Sequence, residues 1–347
     1  MKYFLFFCGI LKFLVNMYIG GVMRERLQEI LKIAIEYQVS DIHFDISNQS
    51  NISIEMRIKG EMKQLIPKED DMKLFRYLMY RANLDVSDIT RPQSGSFKER
   101  VGRKDLSLRF SFVSSYYMKS GVLRILNTSK TLLISSLSHE QDTLEYLTNI
   151  TSKPNGLYLF AGPTGSGKTT TVYTLLNEAK GKKIFSLEDP VEVVNEKYVQ
   201  IQINEKQHMS YADGIKQLMR HDPDIVMIGE IRDESVAKMA VRCALTGHLV
   251  ISTIHSFSCI GTILRMEDLG VERYQLKDVL RGVSAQRLFE DNGGNKFGIY
   301  EFMNEELLSE YFEKGELNGY KTLEKRIEEA FRNHQISYSQ ARPYIEK

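Results

Sequence analysis

Residues Gly162–Thr169 read GPTGSGKT. The apolar run GLYLFA ends immediately before them, and the helix-forming run KTTTVYTLLNEAK starts inside their last two residues. This is the spacing G-x-x-x-x-G-K-[ST] set between a strand and a helix. Gly162, Gly165 and Gly167 let the backbone bend so that its N–H groups converge on phosphate oxygens, and the helix adds its positive N-terminal end. The expected nucleotide-binding residues are therefore Gly162, Pro163, Thr164, Gly165, Ser166, Gly167, Lys168, Thr169 and Thr170. Lys168 is expected to reach the β- and γ-phosphates and the Thr169 hydroxyl to hold Mg2+, which makes ATP with Mg2+ the expected ligand pair.

Beyond this loop, apolar strands alternate with helices: KIFSL, DIVMIG and LVISTI as strands, YADGIKQLM and ESVAKMAVRCAL as helices. That alternation predicts an α/β fold with a mainly parallel sheet covered on both faces. Ligands of such sheets sit beyond the carboxyl ends of the strands. Glu188 and Asp189 follow the first of these strands, Glu230 the second and His255 the third. Any one of them alone reads as a charged loop residue; three consecutive strand ends behind a phosphate loop favour one shared site. One carboxylate can orient or deprotonate the attacking water while another holds the magnesium shell. Glu188 and Glu230 both stay open for either role, with Glu230 preferred as the base; the metal candidates are Thr169, Glu188 and Glu230, mostly through water. Where such a strand usually ends in an aspartate, this one has Gly229. His248, before the last strand, is balanced between a functional and a structural reading.

The formal net charge is +1, so electrostatics give no case for direct nucleic-acid binding. Cys8, Cys243 and Cys259 are widely spaced, which argues against a disulfide framework or a structural zinc site and for a reducing cytosol. Residues 23–127 predict a small α+β domain. Leu27, Ile30, Leu31, Ala34 and Ile35 recur at helical spacing, and Ile52, Ile54, Met56 and Ile58 alternate as in a strand. MKLFRYLMYRA reads as a helix; LSLRFSFV and GVLRIL read as strands joined by a turn over Tyr116–Gly121. Residues 128–155 read as a polar linker and 156–347 as the nucleotide domain with C-terminal helices, where Leu323, Ile327, Ala330 and Phe331 share one face.

Residues 1–22 form an apolar leader close to the ~20 residues that cross a bilayer. Lys12 stands in its middle, at a cost of about 2.5–3.5 kcal/mol on insertion scales. Met23 precedes a well-formed helix start, and IGGV before it can be encoded as AUA-GGA-GGU-GUN, a bacterial ribosome-binding sequence. A start at Met23 is the preferred expectation and a membrane anchor the alternative.

MRHDPDIVMIGEIRD (Met219–Asp233) resembles the signature of the type II/type IV secretion traffic ATPases. GPTGSGKTTTVY is similar to their Walker A, SLEDPVE (Ser186–Glu192) to their aspartate box and ALTGHLVISTIH (Ala244–His255) to their histidine box. VSDIHF, RPQSGSF and LRFSFVSS resemble their N-terminal domain. The resemblance implies a RecA-like P-loop domain preceded by a small α+β domain. It also implies a homohexamer with ATP between the two domains, lying peripherally on the cytoplasmic face of the inner membrane. There it would act on a polytopic platform protein and, indirectly, on a pseudopilin filament. In that family Gly-Glu is the normal Walker B ending, arginines at the positions of Arg109 and Arg124 reach the nucleotide, and His255 falls on a γ-phosphate sensor. Without the resemblance both arginines read as the polar face of an edge strand. SAQRLFEDNGGNKFGIYEF stands where many relatives carry a four-cysteine element, and it has no cysteine, so zinc is not expected. Short length and the SLEDPVE and VQIQIN wording look most like the competence-pilus assembly branch of Gram-positive bacteria. A retraction or general secretion motor is the alternative, and a nucleotide-binding scaffold with little turnover is the reading from another class.

Overall fold

The computed structural model describes residues 21–37, 39–47, 51–58, 61–88, 90–115, 117–126, 132–193, 195–203, 210–315 and 317–346. Most of the apolar leader, residues 1–20, lies outside them. Among the described residues no helix is long and apolar enough to cross a membrane. The chain divides into two compact units, one reaching to Thr128 and taking in Glu192–Val194, the other Ser129–Val191 with Asn195–Lys347.

The first unit contains helix α1 (21–36), strands β1 (Asp41–Ser47), β2 (Ile52–Ile58) and β3 (Glu61–Gln64), helix α2 (Asp71–Arg81), and strands β4 (Gln93–Val101), β5 (Lys104–Ser114) and β6 (Met118–Leu126). The strands form one antiparallel sheet in the order β3-β2-β1-β6-β5-β4. Period-two burial along β1, β2 and β5 turns Ile42, Phe44, Ile54, Met56, Leu108 and Phe110 inward against Leu27, Ile30 and Leu31 of α1 and Leu74, Phe75 and Leu78 of α2. Phe75 meets Phe110 edge-on at 5.4 Å between ring centroids. The turn expected over residues 116–121 is shorter, because β6 already starts at Met118. Strand β4 was not legible in the sequence: an edge strand rich in polar residues lacks the apolar alternation of its neighbours.

The second unit carries β7 (Gly156–Ala161), α4 (Lys168–Glu178), β8 (Ile184–Glu188), β9 (Val199–Gln202), α5 (Tyr211–Leu218), β10 (Ile225–Ile231), α6 (Glu234–Leu245), β11 (Leu249–Ile254), α7 (Cys259–Asp268), α8 (Arg273–Val279), β12 (Leu280–Glu290), β13 (Lys296–Met303), α9 (Glu305–Lys314), α10 (Leu323–Arg332) and α11 (Tyr338–Ile345). Its sheet has the order β13-β12-β7-β11-β10-β8-β9, and only the β12–β13 hairpin is antiparallel. Strands β7, β8 and β11 are buried along their whole length, which is why their sequences read as mostly apolar runs, broken only by Ser186, Glu188, Ser252 and Thr253 in β8 and β11.

The segment expected as a linker is, over residues 132–155, part of this second unit. It contains a single turn at Ile134–Ser136 and helix α3 (Gln141–Ile150). Its serines and threonines masked the apolar residues that decide its place: Ile134, Leu137, Leu147 and Ile150 are buried. Gly298 N donates to Leu137 O at 2.7 Å, and Arg326 Nη2 donates to Asp142 Oδ2 at 2.9 Å. In the sequence the β12–β13 hairpin shows only as a shortened region. It folds against α10, where Leu323, Ile327 and Ala330 bury with Phe289, Phe297 and Ile299.

Candidate nucleotide site

The phosphate loop leaves the carboxyl end of β7, one strand from the middle of the sheet. Gly162, Gly165 and Gly167 have φ of 149°, 81° and 90°. A Cβ on Gly162 would lie 2.4 Å from Ser166 Oγ and 2.8 Å from Gln286 O, so only glycine lets the loop close this tightly. Gly167 is the N-cap of α4 and supplies no side-chain cap, and the first turn of α4 carries no acidic residue. The first amides of a helix have no acceptor within the helix itself, and an N-terminus without an acidic side chain suits an anion, as expected of a phosphate cradle. Lys168 Nζ donates to Gly162 O at 2.8 Å and Pro163 O at 3.1 Å, which folds the ammonium over the loop. Ser166 is buried, Thr169 is half-buried at the start of α4 and Thr170 is exposed.

Strands β11, β10 and β8 follow β7 in that order across the sheet, so His255, Glu230 and the Glu188–Asp189 pair emerge on one side of the loop. Glu230 sits in a β-bulge. Ile228 pairs with Ser252 and Ile231 with Ile254, so two residues on β10, Gly229 and Glu230, stand against one on β11, Thr253. The bulge re-aims the side chain of its extra residue. Its carbonyls are satisfied from β11: Ser252 Oγ donates to Ile228 O at 2.8 Å and Thr253 Oγ1 to Gly229 O at 2.6 Å. Glu230 Oε1 lies 2.9 Å from His255 Nε2, and Oε2 accepts from Arg232 Nε at 2.7 Å. Arg232 Nη1 also reaches Asp189 Oδ2 at 3.5 Å.

Glu188 is held differently. It is 3% exposed, and its carboxylate accepts from Tyr173 OH, from Ser186 Oγ at 2.6 Å and from Gln200 Nε2 at 3.0 Å. The two candidate acids thus have different surroundings: Glu230 lies between the Arg232 guanidinium and the His255 ring at a partly open strand end, and Glu188 is clasped by neutral donors inside the unit. Gly229 has its own reason. A Cβ there would press to 3.1 Å from Leu187 O and 3.4 Å from Glu188 Cα. The end of β8 occupies the space an aspartate would need.

Two residues of this site were missed. Arg232 was legible, since a residue two positions after Glu230 projects to the same side of an extended chain. Gln286 was not: it comes from β12, is 1% exposed and donates through Nε2 to Ser166 O at 2.8 Å. His248 takes the structural reading. It precedes β11, at the other end of the strands from the loop. Its carbonyl accepts from Gly156 N at 3.1 Å, and its ring Nδ1 lies 3.1 Å from Thr246 Oγ1. Cys243 is buried, and burial pushes its thiol up to about 12. Cys259 begins α7 with its Sγ against Val283 O at 3.4 Å. Arg109 and Arg124 lie in the first unit and face each other across β5 and β6. Arg124 Nε donates to Asp41 Oδ1 at 2.6 Å and Arg109 Nε to Ser94 Oγ at 3.0 Å.

The family described as type II/IV secretion system protein matches residues 20–323. The chain belongs to that family. The putative type II secretion system protein E of Escherichia coli (strain K12) is 39% identical over 269 residues, 76% of this chain and 54% of that protein. The competence protein ComGA of Bacillus subtilis (strain 168) is 33% identical over 322 residues, 89% of each chain. The chain therefore spans about half the length of the secretion relatives and most of the length of the competence one. The crystal structure of the pilus retraction motor PilT with bound ADP superposes with a TM-score of 0.71 at 25% identity, covering 92% of this chain and 97% of that one. The Legionella pneumophila ATPase DotB shares the fold, with a TM-score of 0.68 at 17% identity over 92% of this chain and 95% of that one. The α/β architecture with a mainly parallel sheet and a preceding antiparallel domain is thus that of the secretion and pilus ATPases.

Proposed function

We propose that this chain is an ATP-hydrolysing motor that powers assembly of a competence pseudopilus and hence DNA uptake. The observation that carries the hydrolytic part is Glu230, set in its bulge between His255 at 2.9 Å and Arg232 at 2.7 Å on the acid side of the phosphate loop. The competence part is supported by a likeness to ComGA that runs over 89% of both chains. A retraction or general secretion motor is the second reading, favoured by the superposition on PilT.

In this reading Gly162–Thr170 hold the triphosphate, and Lys168 exchanges its two loop carbonyls for phosphate oxygens. Thr169 and, through water, Glu188 and Glu230 would hold Mg2+, which would neutralise phosphate charge. Glu230 is the preferred base because it stands at the open strand end, with Arg232 and His255 fixing its orientation. Glu188, clasped by Tyr173, Ser186 and Gln200, supports the metal shell. His255 reports the γ-phosphate to Glu230. Arg109 and Arg124 act as fingers on the nucleotide in a homohexamer. That ring lies peripherally on the cytoplasmic face of the membrane and works on a polytopic platform protein.

The test is Glu230→Gln. It should leave ATP bound while hydrolysis falls by about 10²-fold or more. Loss of ATP binding instead would assign Glu230 to the metal and Glu188 to the base. DNA uptake that persists in cells carrying Lys168→Ala would overturn the competence reading.

A further inference from the structure

We propose that Glu301, buried on β13 away from the phosphate loop, is a positioning residue for His255. This rests on the nucleotide reading above and extends it to the far end of the loop that carries the histidine.

Glu301 is 1% exposed, and its carboxylate gathers donors from three parts of the second unit. Oε1 accepts from Cys259 N, the first amide of α7, at 2.7 Å, and from Tyr320 OH. Oε2 accepts from Leu323 N, the first amide of α10, at 2.9 Å. Each helix has its own cap two residues further in. Ser258 Oγ accepts from Gly261 N at 3.0 Å, and Thr322 Oγ1 from Lys325 N at 3.4 Å. The first amide of each helix is a donor that its own N-cap leaves over, and one carboxylate takes both. Burial first, then Cys259 and Glu301, push the Tyr320 phenol well above its usual range, so it stays a donor.

Helix α7 leads directly out of the His255 loop. Ile254, the last residue of β11, still pairs with Ile231. The next buried residue is Cys259, 0% exposed, with its Sγ 3.4 Å from Val283 O and 3.5 Å from Glu301 O. Between them His255 and Phe257 are exposed, and Ser256 and Ser258 half-buried. Ser256 Oγ donates to Ser258 O at 3.4 Å within the loop, and the Arg287 guanidinium lies 5.8 Å from the Phe257 ring centroid. The His255 side chain is 51% exposed, so packing does not fix it, and its 2.9 Å approach to Glu230 Oε1 depends on the path of the backbone. At most about 13–14 Å of extended chain separates His255 from Cys259, so a displaced α7 N-terminus is passed on to the ring. Glu301 sets that N-terminus, and through Leu323 and Tyr320 it ties the loop to the C-terminal helices.

The experiment compares Glu301→Gln and Glu301→Asp in the full chain, each alone and combined with His255→Ala. The glutamine keeps the size and accepts fully at one helix end only; the aspartate is one methylene shorter and withdraws from both. Phosphate release at saturating ATP gives kcat, equilibrium binding gives the ATP Kd, and thermal unfolding shows that each chain is folded. Each variant should lose about tenfold in kcat, on the scale of a misplaced group, with Kd within about twofold. On the His255→Ala chain the same substitutions should change kcat by less than about twofold, because the residue they act through is gone. Unchanged kcat in the folded variants would overturn the proposal. So would equal losses with and without His255, which is what a merely structural carboxylate gives. If one variant does not fold, the other decides. His255→Ala that hydrolyses ATP at the wild-type rate would instead overturn the role of His255 in the nucleotide reading.

Discussion

Replacing Gly229 by aspartate puts back the acid that ends many Walker B strands, and the structure predicts that it damages the site. A Cβ at 229 stands 3.1 Å from Leu187 O, 3.4 Å from Glu188 Cα and 3.6 Å from Glu188 Cγ. Gly229→Ala needs a shift of a few tenths of an ångström between β8 and β10, offset in part by about 0.4–1 kcal/mol from the stiffer unfolded chain. Its net effect should stay within about 1 kcal/mol. Gly229→Asp adds the overpacking cost of about 1–3 kcal/mol and sets a second carboxylate against that of Glu188. A domain of this size loses about 2–4 °C in Tm per kcal/mol, so Gly229→Asp should unfold roughly 2–12 °C lower while Gly229→Ala moves by less than about 4 °C. Thermal unfolding monitored by circular dichroism reads both, and phosphate release should fall in the aspartate variant because Glu188 is displaced. An aspartate variant with wild-type Tm and wild-type phosphate release would refute the steric account of Gly229.

Arg109→Ala and Arg124→Ala should each lower hydrolysis by about 10³–10⁵-fold if these residues stabilise the reacting phosphate, with stability changed by less than about 1 kcal/mol. Phosphate release per folded hexamer that is unchanged in both would return them to ordinary strand-face residues. Glu99 gives a pH prediction for the first unit. Burial alone would raise its carboxyl, but hydrogen bonds from Arg24, Arg81 and Gln28 hold it below the usual carboxylate range. A lowered folded value means stability that is present above the ordinary glutamate range near 4.5 and lost as pH falls through the lower folded value. Glu99→Gln should therefore cost about 1–3 kcal/mol in urea unfolding at pH 7, and the gap to wild type should close as the pH falls below the ordinary glutamate range and through the lowered folded value.

Much of the fold was legible because its signals are local. Buried parallel strands are mostly apolar along their length, and LVISTI and IVMIG are. The glycines of the phosphate loop were legible from their spacing, and their φ values bear out the conformations that spacing requires. Strand β4 and the β12–β13 hairpin were not, because edge position and burial beneath α10 are set by partners remote in the chain. Residues 132–155 looked like a linker for the same reason: Ile134 and Leu137 show their role only where they meet the rest of the second unit.

The sequence by itself determined which candidate groups stand at the carboxyl ends of the strands: the glycine loop after β7, then Glu188, Glu230 and His255 at the ends of β8, β10 and β11. Tertiary structure alone decided how those groups divide. A bulge of two residues against one turns Glu230 toward His255 and Arg232, and Tyr173, Ser186 and Gln200 hold Glu188 inside the unit. The physical reason is that side-chain direction in a sheet depends on register. One extra residue turns a side chain to another face, and register is set by strands that meet only after folding.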